Sequence, residues 1–517
     1  MTVFSPVFSP VFSRLLTHAL PLPLACALLL AGCAVGPDYK RPDAPVSAAF
    51  KEATDATTDT TTDANAWRGD WKTAEPQDAI ARADWWTVFG DPQLDTLMSE
   101  VQISNQNIKA AEAQYRQAAA ALQAARAGFF PTVDAQAGAS RARGASGNTL
   151  NGQSLTLGAT WEIDVWGRVR RQVESSEASA QASQADLAST LLSTQATLAQ
   201  SYFLLRVADA QKALLDRTVA DYQKSLQLVQ NQYAAGTAQR SDVLQSETQL
   251  KSAQAQQIDI QITRAQLEHA IAVLVGKPPA ALSLAADDFR KAPPRVPAAV
   301  PSELLERRPD IGAAERRMAS ANAQIGVAQA AYYPTLSLSA SGGLTASTLA
   351  RWMSLPDRIW SIGGGLAGTL FDGGLRRAAK AQAVAAYDQT VANYRQTVLS
   401  AFQEVEDNLA AQRLLEQEAV VQNDALRSAR EALALVNNRY RAGTAGLLDV
   451  LTAQTAAYTA ERTALSIAGR QYTAAVVLIK ALGGNWHPQP LDGATGSTPA
   501  PAAPAAIAAP ATTVGQR

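Results

Sequence analysis

The chain has 517 residues, with 45 basic and 46 acidic side chains and a formal charge of −1. That balance gives no reason to expect nucleic acid as a partner. Charged residues are only 18% of the chain, and beyond the N-terminal segment no run of about 18 uncharged apolar residues offers a transmembrane helix.

Residues 1–32 read as an export signal, with Arg14 for positive charge and Leu20 to Leu30 as the apolar stretch. The segment ends Leu30-Ala31-Gly32-Cys33, which resembles a bacterial lipobox. There the signal is cut before the cysteine, which then carries N-palmitoyl and S-diacylglycerol groups. Acyl chains contribute about 0.8 kcal/mol per buried CH₂, so several together anchor stably. An ordinary signal peptide with a buried free cysteine is the alternative. The other cysteine, Cys26, lies in the removed segment, so no disulfide forms within the mature chain. Residues 33–83 form the lipidated tether, and the Ala, Thr and Asp content of 43–80 predicts a mobile one. Trp85, Trp86 and Phe89 then dock the first helix on the body; a membrane-interface belt is the other reading.

The body holds two copies of one pattern, residues 84–276 and 302–485, joined by a Pro- and Ala-rich linker at 277–301. In the first, a helix over 93–127 leads into Phe129-Phe130-Pro131-Thr132, which opens a strand. Val133, Ala135, Ala137 and Ala139 alternate with Asp134, Gln136 and Ser140. A loop is expected from 141 to 153, after which Leu155, Leu157, Ala159, Trp161, Ile163 and Val165 alternate with Thr156, Thr160, Glu162 and Asp164. In the second copy, Arg307, Arg308, Asp310, Arg316 and Arg317 are either a solvated charged face or an inter-helix pairing cluster. Tyr332-Tyr333-Pro334-Thr335 opens a strand with Leu336, Leu338 and Ala340 facing away from Ser337, Ser339 and Ser341, and a closing strand is expected from Trp360 to Phe371. A soluble half-buried sheet shows the same period of two. Four such strands, paired aromatics and an acylated cysteine point instead to membrane strands.

Four strands cannot close a barrel, and an open edge in lipid leaves backbone groups unsatisfied at several kcal/mol each. The barrel must therefore be shared between chains: two copies give about 8 strands and a filled lumen, three give about 12 and a pore.

From Val169 to Gln232 there is neither proline nor glycine, a helix of about 96 Å. Leu187, Leu191, Thr194, Leu198 and Tyr202, then Leu215, Val219, Tyr222, Leu226, Val229 and Tyr233, mark a heptad seam. The second copy repeats it through Val398, Phe402, Val405 and Leu409, then Leu433, Val436 and Tyr440. Each long helix ends in one motif, Tyr233-Ala-Ala-Gly-Thr-Ala-Gln-Arg-Ser-Asp-Val-Leu244 and Tyr440-Arg-Ala-Gly-Thr-Ala-Gly-Leu-Leu-Asp-Val-Leu451, at a constant offset. Gly236 and Gly443 break the helix by taking the left-handed conformation. Thr237 or Ser241, and Thr444, are expected to cap the returning helix, with Asp242 and Asp449 near its positive end. Each motif reads as the tip of a long helical hairpin. The tail over 486–517 reads as disordered.

No catalytic constellation, metal cluster or phosphate loop stands out, and His18, His269 and His487 are scattered; neither an enzyme nor a cofactor is expected.

The chain resembles the TolC-like outer-membrane factors, in their NodT-like lipoprotein type. The resemblance is carried by Cys33-Ala-Val-Gly-Pro-Asp-Tyr-Lys-Arg-Pro42, Trp85-Trp86, Arg307-Arg-Pro-Asp-Ile311, Ala314-Glu-Arg316 and Ala330 to Leu338. Phe371-Asp-Gly-Gly374, Thr397 to Asp407 and both tip motifs complete it. It implies a homotrimer with a 12-stranded outer-membrane β-barrel continued by a long periplasmic α-helical barrel with an equatorial belt. It implies partnership with a periplasmic adaptor and a proton-driven inner-membrane pump. The lack of Asp at position 34 favours the outer membrane. The function it implies is a passive exit duct for small molecules, gated at the tips. Tyr233, Gly236, Thr237, Asp242, Val243 and Leu244, with Tyr440, Arg441, Gly443, Thr444, Asp449, Val450 and Leu451, are its adaptor-contact and gating residues. Relatives often carry an acidic residue near 452; here it is Thr452, leaving Asp449 and Arg441 as the pair to hold the tip shut. A duct for type I protein secretion and a non-conducting envelope scaffold are the rival readings.

Overall fold

A computed structural model describes residues 35–43, 50–52, 84–143, 147, 149–287, 294, 308–347 and 358–484. The signal, Cys33, Arg307, most of the linker and the C-terminal tail lie outside them, as do most of residues 44–83. After a 3₁₀ turn at Trp85–Phe89, the first repeat runs α1 (Pro92–Ser104), α2 (Gln106–Ala127), β1 (Thr132–Arg143), β2 (Thr149–Ile163), α3 (Arg168–Ala234) and α4 (Arg240–Leu274). The second runs α5 (Pro309–Ala330), β3 (Thr335–Ala346), β4 (Arg358–Ala367), α6 (Leu375–Arg441) and α7 (Leu447–Ala481). The long helices α3 and α6 both have 67 residues and the return helices α4 and α7 both have 35, so each long helix spans about 100 Å.

Three boundaries differ from the sequence reading. The helix expected over 93–127 is broken at Asn105, whose backbone is extended and whose side chain accepts from Asn107 and Ile108 N–H. That side chain also donates to Leu274 O at 2.7 Å, so the break docks α1 and α2 on the end of α4. The loop expected over 141–153 shrinks, because Arg141 to Arg143 and Thr149 to Gln153 pair across the hairpin. Asn151 and Gly152 among them are weak strand formers, tolerated once a partner strand lies opposite. The closing strand spans Arg358–Ala367 and stops before Phe371.

The strands form one antiparallel sheet in the order β1-β2-β3-β4. Rows such as Thr132–Thr160–Ser339–Gly363 carry polar or glycine residues on one face, and Ala135–Leu157 on the other. The outer strands β1 and β4 keep open hydrogen-bonding edges. No described helix is long and apolar enough to cross a membrane.

The main core lies around α3. Trp85, Trp86 and Phe89 are buried with Leu94, Met98, Leu198, Tyr202, Phe203, Ile271 and Tyr472. They dock the first helix and form no membrane belt. Trp85 donates to Gln195 Oε1 at 3.2 Å, and Tyr202 donates to Asp91 at 2.6 Å. The heptad seam is buried at Leu198, Tyr202, Leu215, Val219, Tyr222 and Val229, and again at Val398, Val405 and Leu409. The arginine cluster pairs between helices: Arg308 is buried and bridges Asp310, Glu404 and the carbonyl of Ala481, while Arg317 reaches Asp186.

The N-terminal segment is no loose tether where it is described. Val35 N–H donates to Trp166 O at 3.1 Å, Asp38 pairs with Arg171, and Asn322 donates to Pro37 O. Arg41 donates to the Tyr394 hydroxyl. Phe50 is buried beside Phe402, and Glu406 accepts from the backbone N–H of Lys51 and Glu52. Of the stretch 43–80 expected to be mobile, only residues 43 and 50–52 are described, and at 50–52 a buried aromatic and two backbone hydrogen bonds hold the chain down.

Candidate functional site

The two tips are built by the same local rules. Gly236 and Gly443 have φ of 78° and 73°, which any side chain would strain. Their N–H groups donate to Tyr233 O and Tyr440 O, each at 3.0 Å. Thr237 and Thr444 then correct the capping expectation. Their hydroxyls donate backward, to Gln232 O at 3.0 Å and Arg439 O at 3.1 Å, so they close the long helices and do not open the return helices. Gln239 and Gly446 stand at the N-caps. Asp242 and Asp449 accept from their N–H groups, both at 3.0 Å, in half of a capping box. Asp449 is therefore engaged in its own turn and makes no pair with Arg441 within the chain. Thr452 donates to Leu448 O at 2.7 Å and stays tied to its helix.

The repeats are alike in sequence but not in environment. Val450 is buried, whereas its counterpart Val243 is half-buried. Tyr440 is half-buried and donates to Gln232 Oε1 at 2.7 Å, joining the second long helix to the first, whereas Tyr233 is exposed. Burial raises the Tyr440 phenol above its ordinary range; the Gln232 bond opposes this and the Asp242 carboxylate adds to it. Leu244 is exposed and Leu451 half-buried.

Further ties join the hairpins above the tips. Gln249 donates to the hydroxyl of Thr455 across the hairpins and to that of Tyr222 within its own, Gln454 donates to Ser225, and Tyr458 to Gln256. Glu461 takes Arg217 across the hairpins at 2.9 Å and Arg430 within its own hairpin at 2.6 Å. Between α4 and α7 lies a groove of about 930 Å³ lined by Leu244, Thr248, Leu448, Leu451, Thr455 and Thr459 among others. None of these ties was singled out from the sequence. Polar residues at seam positions of two repeats are the only signal they leave there.

At the other end of the long helices, the barrel wall meets them through charge. Glu162 pairs with Arg168 at 2.6 Å, and Asp164 accepts from Val169 and Arg170 N–H. In the second repeat Asp372 accepts from Gly374 and Arg376 N–H. Carboxylates thus cap both long helices at the point where strand becomes helix. Trp166 stacks on Tyr333 with ring centroids 4.8 Å apart. This arrangement gives a polar-faced wall continued by a rigid helical one, joined near its far end by side-chain hydrogen bonds.

The family model described as outer membrane efflux protein matches residues 97–277 and 300–484, most of the chain. The chain is 30% identical over 479 residues to the probable efflux pump outer membrane protein TtgC of Pseudomonas putida, covering 90% of this chain and 95% of the relative. It is 32% identical over 436 residues to the pyoverdine export outer membrane protein OpmQ of Pseudomonas aeruginosa, covering 81% and 90%. It superposes on the outer-membrane channel OprN with a TM-score of 0.78 at 31% identity, over 87% of this chain and 99% of that one. On the open-state MtrE channel of Neisseria gonorrhoeae the TM-score is 0.75 at 28% identity, over 88% and 98%. The chain belongs to the outer membrane efflux protein family, and it shares the strands-and-long-helices fold of these channels.

Proposed function

We propose that three copies of this chain close one twelve-stranded barrel in the outer membrane and continue it as a helical tunnel into the periplasm. The duct conducts efflux cargo passively, with energy supplied by an inner-membrane pump joined through a periplasmic adaptor. The observation that carries this reading is the four-stranded sheet whose outer strands β1 and β4 are both unpaired. Such edges are not tolerated in lipid, and a neighbouring copy satisfies both at once. Lipid on Cys33 adds a second anchor. Val35 is pinned to Trp166 at the strand–helix junction, which would hold that lipid beside the barrel wall.

Opening takes place at the tips, where the second hairpin swings away from the first and breaks the Tyr440–Gln232 and Arg217–Glu461 ties. The barrel does not move. The test is a disulfide between Asp242→Cys and Arg439→Cys. The expected outcome is loss of export on oxidation and recovery on reduction. Export at full rate with the crosslink formed would refute tip gating, and absence of any conductance in planar bilayers would refute the duct itself.

A further inference from the structure

One charged feature of the barrel is not explained by conduction. On β1 the outward face carries Val133, Ala135, Ala137 and Ala139, and then Arg141 and Arg143 on the same face. On β4 it carries Leu366, Gly364, Ile362 and Trp360, and then Arg358. The opposite face is fixed by contacts: Ser154 lies against Gly138, Ser140 against Gly152 and Asp134 against Gly158. That polar face suits a water-filled lumen and the Val- and Leu-bearing face suits lipid, so the arginines, which share the apolar face, point away from the lumen. Arg143 ends β1 and Arg358 begins β4, both at the end of the sheet away from the helices.

Spacing places them at a membrane surface. Arg141 is the eighth residue after Val133, and Arg358 the eighth before Leu366. Eight residues span about 27 Å of strand, or about 21 Å along the membrane normal at a tilt of about 40°. That is close to the apolar thickness of an outer-membrane barrel, about 25 Å. The guanidinium groups thus emerge at the outer interface, where the exposed Trp360 also lies. Among the described residues none of the three has an ion pair; Arg143 donates through Nε to Gly147 O at 3.2 Å.

In one chain β1 and β4 are opposite edges of the sheet. In the three-copy barrel proposed above, on which this inference rests, β4 of each copy meets β1 of the next. Three arginines then gather at each seam, facing lipid, and their mutual repulsion calls for an anion. We propose that Arg141 and Arg143 of one copy and Arg358 of the next clamp the phosphate of a phosphorylated glycolipid in the outer leaflet. Guanidinium forks match phosphate oxygens in pairs, and basic clusters at a membrane surface recognise anionic headgroups. Trp360 gives the sugar an aromatic face. A bound glycolipid would brace each seam between copies.

The test is native mass spectrometry of the detergent-purified full-length protein titrated with bisphosphorylated lipid A. Wild type is expected to appear as a trimer carrying up to three lipid A molecules. The Arg141→Gln/Arg143→Gln/Arg358→Gln variant is expected to remain a trimer and bind at least tenfold more weakly, with Arg358→Gln alone in between. Dephosphorylated lipid A is expected to bind wild type as weakly as the triple variant. Equal lipid A binding by a trimeric triple variant would overturn the clamp and leave the duct reading intact. Equal competition by phosphatidylglycerol would overturn the glycolipid assignment. A wild-type protein seen only as monomer would overturn the shared barrel and the clamp together.

Discussion

Gly36 and Gly326 meet backbone to backbone: a Cβ built on Gly36 would fall 2.5 Å from the Cα of Gly326. Gly36 also has φ of 113°, and a Cβ on Gly326 would strike the Arg171 side chain at 2.8 Å. The strap reaches Arg171 only because neither position has a side chain. Gly326→Val is expected to lift residues 35–43 off the body. The expected cost is about 1–3 kcal/mol, in the range of overpacking changes. Limited proteolysis should cut the variant within this segment under conditions that spare wild type.

Arg308 is buried and ties α5 to α6 and α7 through Asp310, Glu404 and Ala481 O. Removing one partner of a buried pair leaves a charge without compensation, at about 3–5 kcal/mol. Lys480 also holds Glu404, at 3.1 Å, and both carboxylates left behind are partly exposed, so Arg308→Met is expected below that range, at about 2 kcal/mol. Arg308→Lys keeps the charge but loses the forked geometry, and should fall between the two. Denaturant unfolding of the three proteins checks the order.

The Tyr472 phenol is pushed up to about 12 by burial, with the Asp91 carboxylate adding to the rise. A tyrosine in the unfolded chain ionises near pH 10, at about its free value. Below that pH both states are protonated and the neutral ring contributes fully. Between about pH 10 and 12 the unfolded chain loses its proton first, so stability falls as pH rises. The loss amounts to about 2–3 kcal/mol for a shift of this size. Tyr472→Phe should flatten the decline in this window, measured as unfolding midpoints at about pH 9 and pH 11.5, without abolishing it. The Tyr202 phenol, raised first by burial and then by its bond to Asp91, contributes with the same sign.

At the tips, Tyr440→Phe combined with Glu461→Gln removes one hydrogen bond and weakens one partly exposed ion pair between the hairpins, Arg217–Glu461. Solvent screens such pairs, so about 1–1.5 kcal/mol in all is expected. That raises the population of the open tip by about tenfold. Single-channel recordings should show more frequent or longer openings, while thermal unfolding of the body stays unchanged. An unaltered open probability would remove these ties from the gate.

The sequence by itself determined the repeat, because glycine at positions 236 and 443 and the absence of helix breakers before them are local properties. The heptad seams and the period-two strands were legible for the same reason, and so was the deficit of strands per chain. The strand ends and the role of Thr237 and Thr444 were not, since the donors and acceptors there are chosen by backbone geometry and not by residue type. Only the tertiary structure distinguished the two tips. Tyr233 and Tyr440 occupy the same place in one motif, yet only Tyr440 meets Gln232 across the hairpins. It also decided that Arg308 is buried and paired between helices, and that the N-terminal strap is held. Each of these depends on what lies opposite a residue after folding, at separations in the chain that no local pattern encodes.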